Sequence, residues 1–370
     1  MHPPTDPIAA VTHPDPYPYY AALAAERPLY RDATLGLWVA SGAGVVGEVL
    51  ASDACRVRPA AEPVPAALLG TAAGDLFARL VRMTDGPAHR PLRRAVAAAL
   101  HTADGSRAAA IASACARRLA DALPPTPDRH ALGDFAFRVP VHVVGTLLGI
   151  PDGALDETTA LVDALVRGLA PAAPAERVAR AAHAATRLCD ALGTIDGGLS
   201  GALRCAAHEH GLLSPDVVVA NAVGFLTQSY EATAALIGNT LVALAAQPGA
   251  YDAGAVPALV RDVARRDPAV HNTRRWAARD VAIGGRPMHA GDAILVVLAA
   301  AGQGFGAGAH ACPGEALAST IASAGVAELV ARGVPLGVFV RPVAYRGMPN
   351  VRIPFEGTIT GRELLTEGTL

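Results

Sequence analysis

A mainly α fold with a small β portion, held in one domain, is what these 370 residues predict. Three observations carry that prediction. Apolar residues make up 52% of the chain but aromatics only 4%, and alanine is abundant, which suits many helices around a large core. The stretch 217–246 is apolar on most faces and far too long for a strand. Short alternating runs bounded by turn residues are confined to a few places near the two ends.

The elements follow in order. A short helix is expected from Pro16 to Glu26, then a hairpin-like stretch from Leu29 to Ala40, then a helix from Gly44 to Ala51. Residues 59–74 are rich in Pro, Ala and Gly and predict a loop with poor local order. Helices dominate from about 87 to 246. The clearest is the last, with Ser214 as N-cap, Pro215 at the first turn and Gln247-Pro248-Gly249 as its stop. A short helix ends at Asp267-Pro268. Val281–Ile283, the Gly284-Gly285 turn and Asp292–Leu298 then fit a small sheet, and 335–354 alternates again like strands. No linker divides the chain, so one domain over 1–370 is expected, with a helix-rich core at about 87–267 and the sheet portion at about 268–356.

Charge and cysteine usage exclude several classes. A net charge of −2 implies no general attraction to nucleic acid or membrane. The five cysteines lack C-x-x-C spacing, which argues against a zinc site or a disulfide scaffold and suits a reducing compartment. The opening residues carry no leader-like basic and apolar regions. The polar Gln228, Glu231 and Asn239 make the long apolar stretch a buried helix rather than a membrane span. A soluble, cytoplasmic protein is expected. There is no Gly-Lys-Ser/Thr phosphate loop, no H-E-x-x-H and no G-x-S-x-G, and Gly306-x-Gly308 lacks the third glycine of a dinucleotide site.

The run Phe305-Gly306-Ala307-Gly308-Ala309-His310-Ala311-Cys312-Pro313-Gly314 is the most informative in the chain. Its glycines let the backbone approach a flat, bulky group. A thiolate at a loop-to-helix junction is stabilised by amide N–H groups and the helix N-terminus. The run resembles the haem-binding loop of the cytochrome P-450 family, F-G-x-G-x-H-x-C-x-G, at every fixed position. That resemblance implies the family's single-domain fold and a haem b cofactor with Cys312 as the iron ligand, and Phe305, Gly306, His310 and Gly314 as cofactor-binding residues.

Three more segments extend the resemblance over nearly the whole chain. His89 and Arg93 match the family's H-x-x-x-R segment, and Arg275 matches the strand that donates a further arginine, so His89, Arg93, Arg275 and His310 are the implied partners of the haem propionates. Asp262 and Arg265 stand where the family has E-x-x-R and would form a structural pair under the haem, with Asp one methylene shorter than Glu. The middle of the long helix, Phe225 to Ala234, matches A-G-x-[DE]-T-T, whose acid and first threonine carry protons to bound oxygen. Here Glu231 keeps the acid, Ala232 replaces the threonine, and Gln228-Ser229 replaces Ala-Gly. Gln228, Glu231 and Ala232 share a helix face and are the candidate catalytic residues. The irregular stretch that usually precedes the F-G of the cysteine loop is almost deleted, with only Gly302-Gln303-Gly304 before Phe305.

The resemblance therefore implies an oxidoreductase that tailors a small natural-product intermediate, with an atypical distal site and non-standard oxygen activation. A ferredoxin or flavodoxin is the implied electron donor, and the deletion on the donor-facing side weighs against it. The alternative is haem chemistry without a redox partner: peroxide-driven oxidation, or nitrene- or oxo-type transfer, rearrangement or dehydration of an N–O or O–O activated substrate. Non-enzymatic haem binding is the third reading. No nucleic acid or membrane partner is expected.

Overall fold

The structure, a computed structural model, describes residues 2–103, 105–212, 214–247, 252–340 and 343–355. The N-terminal part carries α1 (Tyr17–Glu26), the hairpin β1 (Leu29–Asp32) and β2 (Leu37–Ala40), α2 (Ala43–Ala51) and β3 (Cys55–Arg56). A helical body follows: α3 (Ala72–Arg79), α4 (His89–His101), α5 (Gly105–Asp121), α6 (Arg129–Leu148), α7 (Leu155–Gly168), α8 (Ala175–Gly193), α9 (Gly198–Glu209), α10 (Pro215–Ala245) and α11 (Val256–Arg266). The last part holds β4 (Thr273–Ala277), β5 (Val281–Ile283), β6 (Arg286–Met288), β7 (Ala293–Val296) and α12 (Glu315–Ala331).

The two sequence-distant strand regions join in one sheet of order β1-β2-β7-β4-β3. Its central pairing is parallel, with Trp38 opposite Ile294 and Ala40 opposite Val296. β7 and β4 are antiparallel, and so are β4 and β3. β5 and β6 form a separate hairpin.

α10 is the spine of the helical body. Its 31 residues rise through about 46 Å, and Val223, Leu226, Ala234, Ile237 and Leu241 are buried. Helices α6, α8, α9, α11 and α12 pack around it. α6 starts where the Asp128 carboxylate accepts the Ala131 amide (2.7 Å), and it stops at Gly149, whose φ of +95° lets the Ile150 N–H reach back to Gly145 O. By length and composition α6 could cross a membrane, but 78% of its apolar window is buried inside the protein.

Three expectations need correction. Residues 59–74 are not a featureless loop: a 3-10 turn covers Ala66–Leu68, and the Thr71 hydroxyl caps α3 by accepting the Gly74 N–H at 3.1 Å. Local Pro and Gly content concealed this cap. Ser214 holds the N-cap position of α10, but its side chain makes no capping bond, and Pro215 supplies the preset backbone instead. Pro248 and Gly249 lie outside the described residues. Finally, 335–354 is not strand. Among the described residues there it forms a 3-10 turn at Gly337–Phe339 and one bridge, Val270 to Val351. Its alternating apolar residues do not mark strand faces: 351–355 are buried without interruption.

Candidate active site

The cysteine loop is fixed by its own backbone. After β7, Gln303 N–H bonds Leu298 O (2.9 Å), Gly306 N–H bonds Gln303 O (2.7 Å), and Cys312 N–H closes on Phe305 O (2.9 Å). Gly306 and Gly308 sit at φ +70° and +68°, which side chains rarely adopt. A Cβ on Gly308 would also come within 2.5 Å of Leu50 O, so glycine is needed for the contact with α2. A Cβ on Gly306 would meet His310 O at an ordinary contact distance of 3.8 Å, and Gly306 lines the cavity.

That cavity, about 860 Å³, is bordered by the loop, α4, β4, α7, α10 and the segment around Arg346–Val351. Cys312 is accessible from the space it lines. Desolvation pushes its thiol up, against the Gly314 amide and the Arg93 guanidinium, which pull it down. α4 places His89 and Arg93 one turn apart, and both line the cavity. Arg93 donates to Ala311 O, tying α4 to the cysteine loop. The rings of His89 and His310 lie 4.2 Å apart. Burial, then the neighbouring His310, pushes His89 down to about 4, and its Nε2 is buried without a partner.

His310 Nε2 stands 3.0 Å from Asp85 Oδ1, while Asp85 Oδ2 accepts the Val57 amide at 2.9 Å. Burial alone would raise this carboxyl, but those two hydrogen bonds outweigh it and hold it below its usual range. Alternation along β4 buries Arg275 and exposes Arg274. Arg275 donates to Thr273 Oγ1 (3.2 Å) and Arg274 O (2.8 Å), and it makes no ion pair among the described residues.

On the α10 wall, Gln228, Glu231 and Ala232 all line the cavity. Gln228 Nε2 donates to Gly224 O (3.1 Å), one turn earlier. Glu231 is raised above the usual carboxylate range by desolvation, and the most effective opposing charge is Arg346. Ala232 brings no hydrogen-bonding group to this wall. Thr233 is buried, with its hydroxyl unpartnered.

The Asp262–Arg265 pair departs from expectation. Arg265 Nη2 lies 3.6 Å from Asp262 Oδ1 and its side chain is 76% exposed. Asp262 makes its shorter contact with Arg266 instead. This face of α11 is turned to solvent, so the pair is a loose surface contact rather than a buried pin.

Four residues of the site escaped the sequence analysis. Asp85, the partner of His310, lay within a segment chosen for its His and Arg. Arg82, Arg167 and Arg346 line the cavity from three separate elements, and no local spacing links them.

Comparison with known proteins agrees with this architecture. No protein-family model matches the chain. Cytochrome P450 monooxygenase PikC of Streptomyces venezuelae is 27% identical over 378 residues, covering 92% of this chain and 89% of its own. The crystal structure of CalO2 superposes with a TM-score of 0.79 at 24% identity, covering 95% of this chain and 96% of that one. The P450 RauA, solved with a biosynthetic intermediate of aurachin RE, gives 0.73 at 25% identity over 95% of this chain and 96% of its own. With the helix-rich body, the small sheet and the cysteine loop, these likenesses make the chain a divergent member of the cytochrome P-450 family, oxidoreductases that bind haem b through a cysteine thiolate.

Proposed function

We propose that this cavity holds haem b with Cys312 as the iron ligand, and that the enzyme tailors a small natural-product intermediate without the usual threonine-based proton delivery. The donor set supports the fit. Cys312 lines the space from a loop whose Gly306 adds no side chain. Arg93, Arg275, His89 and His310 border the same cavity, and the unpartnered Nε2 of His89 and the unpaired guanidinium of Arg275 would meet two propionates. Haem, when bound, supplies the redox chemistry, and the protein sets access, orientation and proton supply.

One observation carries the distal reading: Ala232 lines the cavity beside Glu231. Glu231, raised by desolvation, holds a proton more readily than an exposed glutamate. With no hydroxyl at 232, its proton must travel through water or through a polar group on the substrate. Gln228 keeps its amide oxygen for orienting that water or substrate while its Nε2 is tied to Gly224 O. The short connector between β7 and Phe305 favours a second reading, in which no electron donor docks and the substrate arrives already activated.

Turnover of candidate intermediates with and without NAD(P)H, redox partners and oxygen separates the two. Product formation without all three supports the pre-activated substrate. Dependence on them, with coupling improved by Ala232→Thr, supports substrate- or water-assisted oxidation. Efficient coupling in the unmodified protein that Ala232→Thr leaves unchanged would overturn the role assigned to position 232. Loss of the thiolate-type carbon monoxide spectrum in Cys312→Ala tests the ligand directly.

A further inference from the structure

The cavity wall around Glu231 carries more positive charge than the haem requires. Setting aside Arg93 and Arg275, four more guanidinium groups border the space: Arg82 from the turn Val81–Met83, Arg167 from the last turn of α7, the exposed Arg177 of α8, and Arg346 from the C-terminal segment. Glu231 is the one acid among the described lining residues. Its carboxyl feels Arg346 most strongly among the positive charges, then Arg167 and Arg82, so the three converge on one region of α10.

Arg167 and Arg346 are held in place from behind. Asp163, one turn before Arg167 on α7, accepts Arg167 Nε at 2.6 Å and the Tyr230 hydroxyl at 2.9 Å. Phe137 stacks on Tyr230 with ring centres 4.9 Å apart, and the Arg346 guanidinium lies 5.7 Å from the centre of the same Phe137 ring. The Arg346 amide is bonded to Ile353 O at 2.8 Å, which fixes its turn. With Nε committed to Asp163, Arg167 Nη2 is buried and has no hydrogen-bond partner. Neither Arg82 nor Arg346 has an ion pair within bonding distance among the described residues. Only Arg167 Nη2 among these nitrogens is buried without an acceptor, which is costly, and a bidentate anion would satisfy it.

We propose that this wall is a carboxylate-recognition subsite, and that the enzyme acts on a substrate bearing a carboxylate held by Arg167 and Arg346 with support from Arg82. The inference rests on the cavity being the substrate chamber of a haem enzyme. The charge balance favours an anion: the guanidinium groups of Arg82, Arg167 and Arg346 outnumber the acids Asp163 and Glu231, and the exposed Arg177 adds to that excess. Apolar neighbours Val166, Leu169 and Phe225 give the rest of the substrate a hydrocarbon surface. Two fixed anchors would also orient the substrate, which matters where Ala232 cannot contribute a hydrogen bond.

The test is calorimetric titration of the haem-loaded protein with octanoate, methyl octanoate and octyl phosphate. Octanoate should bind at least about tenfold more tightly than its uncharged ester, because the ester leaves the guanidinium groups unpaired. Arg346→Gln and Arg167→Gln should each weaken octanoate by about tenfold or more and leave methyl octanoate unchanged. Arg346 has no internal ion pair, so its variant serves if Arg167→Gln, which strands Asp163, fails to fold. Equal affinity for acid and ester, or equal losses for both ligands in Arg346→Gln, would overturn the proposal. Octyl phosphate binding more tightly than octanoate would overturn the carboxylate assignment in favour of a phosphate. The carbon monoxide spectrum of each preparation is recorded alongside. An abnormal spectrum in the unmodified protein would count against the haem reading, whereas a normal one with no acid-over-ester preference would count against the subsite alone.

Discussion

Arg274 and Arg275 are neighbours in sequence with opposite surroundings, because a strand sends successive side chains to opposite faces. Arg275 is 6% exposed and borders the cavity, whereas Arg274 faces out. If the propionates lie where proposed, Arg275→Ala should lower haem occupancy severalfold on gel filtration, and Arg274→Ala should leave it near the unmodified level. Equal losses would overturn the role assigned to Arg275, and a larger loss for Arg274→Ala would mean that β4 presents the other face. The choice of Arg275 over Arg274 came from its match to the family's arginine-donating strand, and the burial along β4 agrees with it. The carboxylate subsite could not. Arg82, Arg167 and Arg346 belong to a 3-10 turn, a helix end and a C-terminal segment, and packing around Tyr230 and Phe137 is what brings Arg167 and Arg346 together. Asp85 was hidden for a similar reason: nothing near it in sequence signals that its partner is His310, 225 residues away.

At the scale of elements, α10 was readable from its length and apolarity, but the crowding at Gly238 was not. Gly238 looks like an ordinary small residue in a long helix. In the structure a Cβ there would come 2.6 Å from Pro354 Cγ and 2.7 Å from the Phe355 ring, so the C-terminal segment lies directly on the helix backbone. Gly325 in α12 differs, because a Cβ there would meet Ile237, Phe135 and Val139 at ordinary distances of 3.5–3.7 Å. Replacing glycine by alanine inside a helix gains up to about 1 kcal/mol from backbone propensity. Overpacking costs about 1–3 kcal/mol. Gly325→Ala should therefore stabilise the protein by up to about 1 kcal/mol, and Gly238→Ala should destabilise it by roughly 1 kcal/mol or more. Denaturant midpoints decide it, and the same sign for both variants would contradict the packing described. The strand-like reading of 335–354 failed on the same fact. Residues 351–355 are buried one after another against the core, with no strand pairing among the described residues beyond the bridge at Val351.

Across the whole molecule, the fold class was readable because helix periodicity and the cysteine loop are local, whereas the ties between the chain's distant parts are not. Arg352 is the clearest of these. It is fully buried, stacks 3.5 Å from the Tyr345 ring centre, and donates to Val11 O (2.9 Å), His13 O (2.7 Å) and Pro14 O (3.1 Å). Its Nε lies 3.0 Å from Asp267 Oδ1, and Asp267 also accepts the Tyr17 hydroxyl. One guanidinium thus joins the N-terminal segment, α1, the end of α11 and the C-terminal segment. Arg352→Met keeps the bulk but leaves Asp267 and three carbonyls without their donor. It should cost about 3–5 kcal/mol, as removing one member of a buried pair does. A denaturation midpoint shifted by less than a third of that would show that water replaces the lost bonds.

The parallel pairing of β2 with β7 has a consequence for the order of assembly. Trp38 is made early, but its partner Ile294 leaves the ribosome only after the whole helical body. Closing so large a loop carries an entropic cost that local helices do not meet, so long-range strand pairing forms slowly. The hairpin β1–β2 must wait with one edge unpaired while α3 to α11 condense, and an unpaired strand edge invites association between chains. β7 leads directly into the cysteine loop, so the same late step that seals this edge also sets Cys312 in position. The nascent protein therefore sets Cys312 in place only as it covers the open edge of its first hairpin.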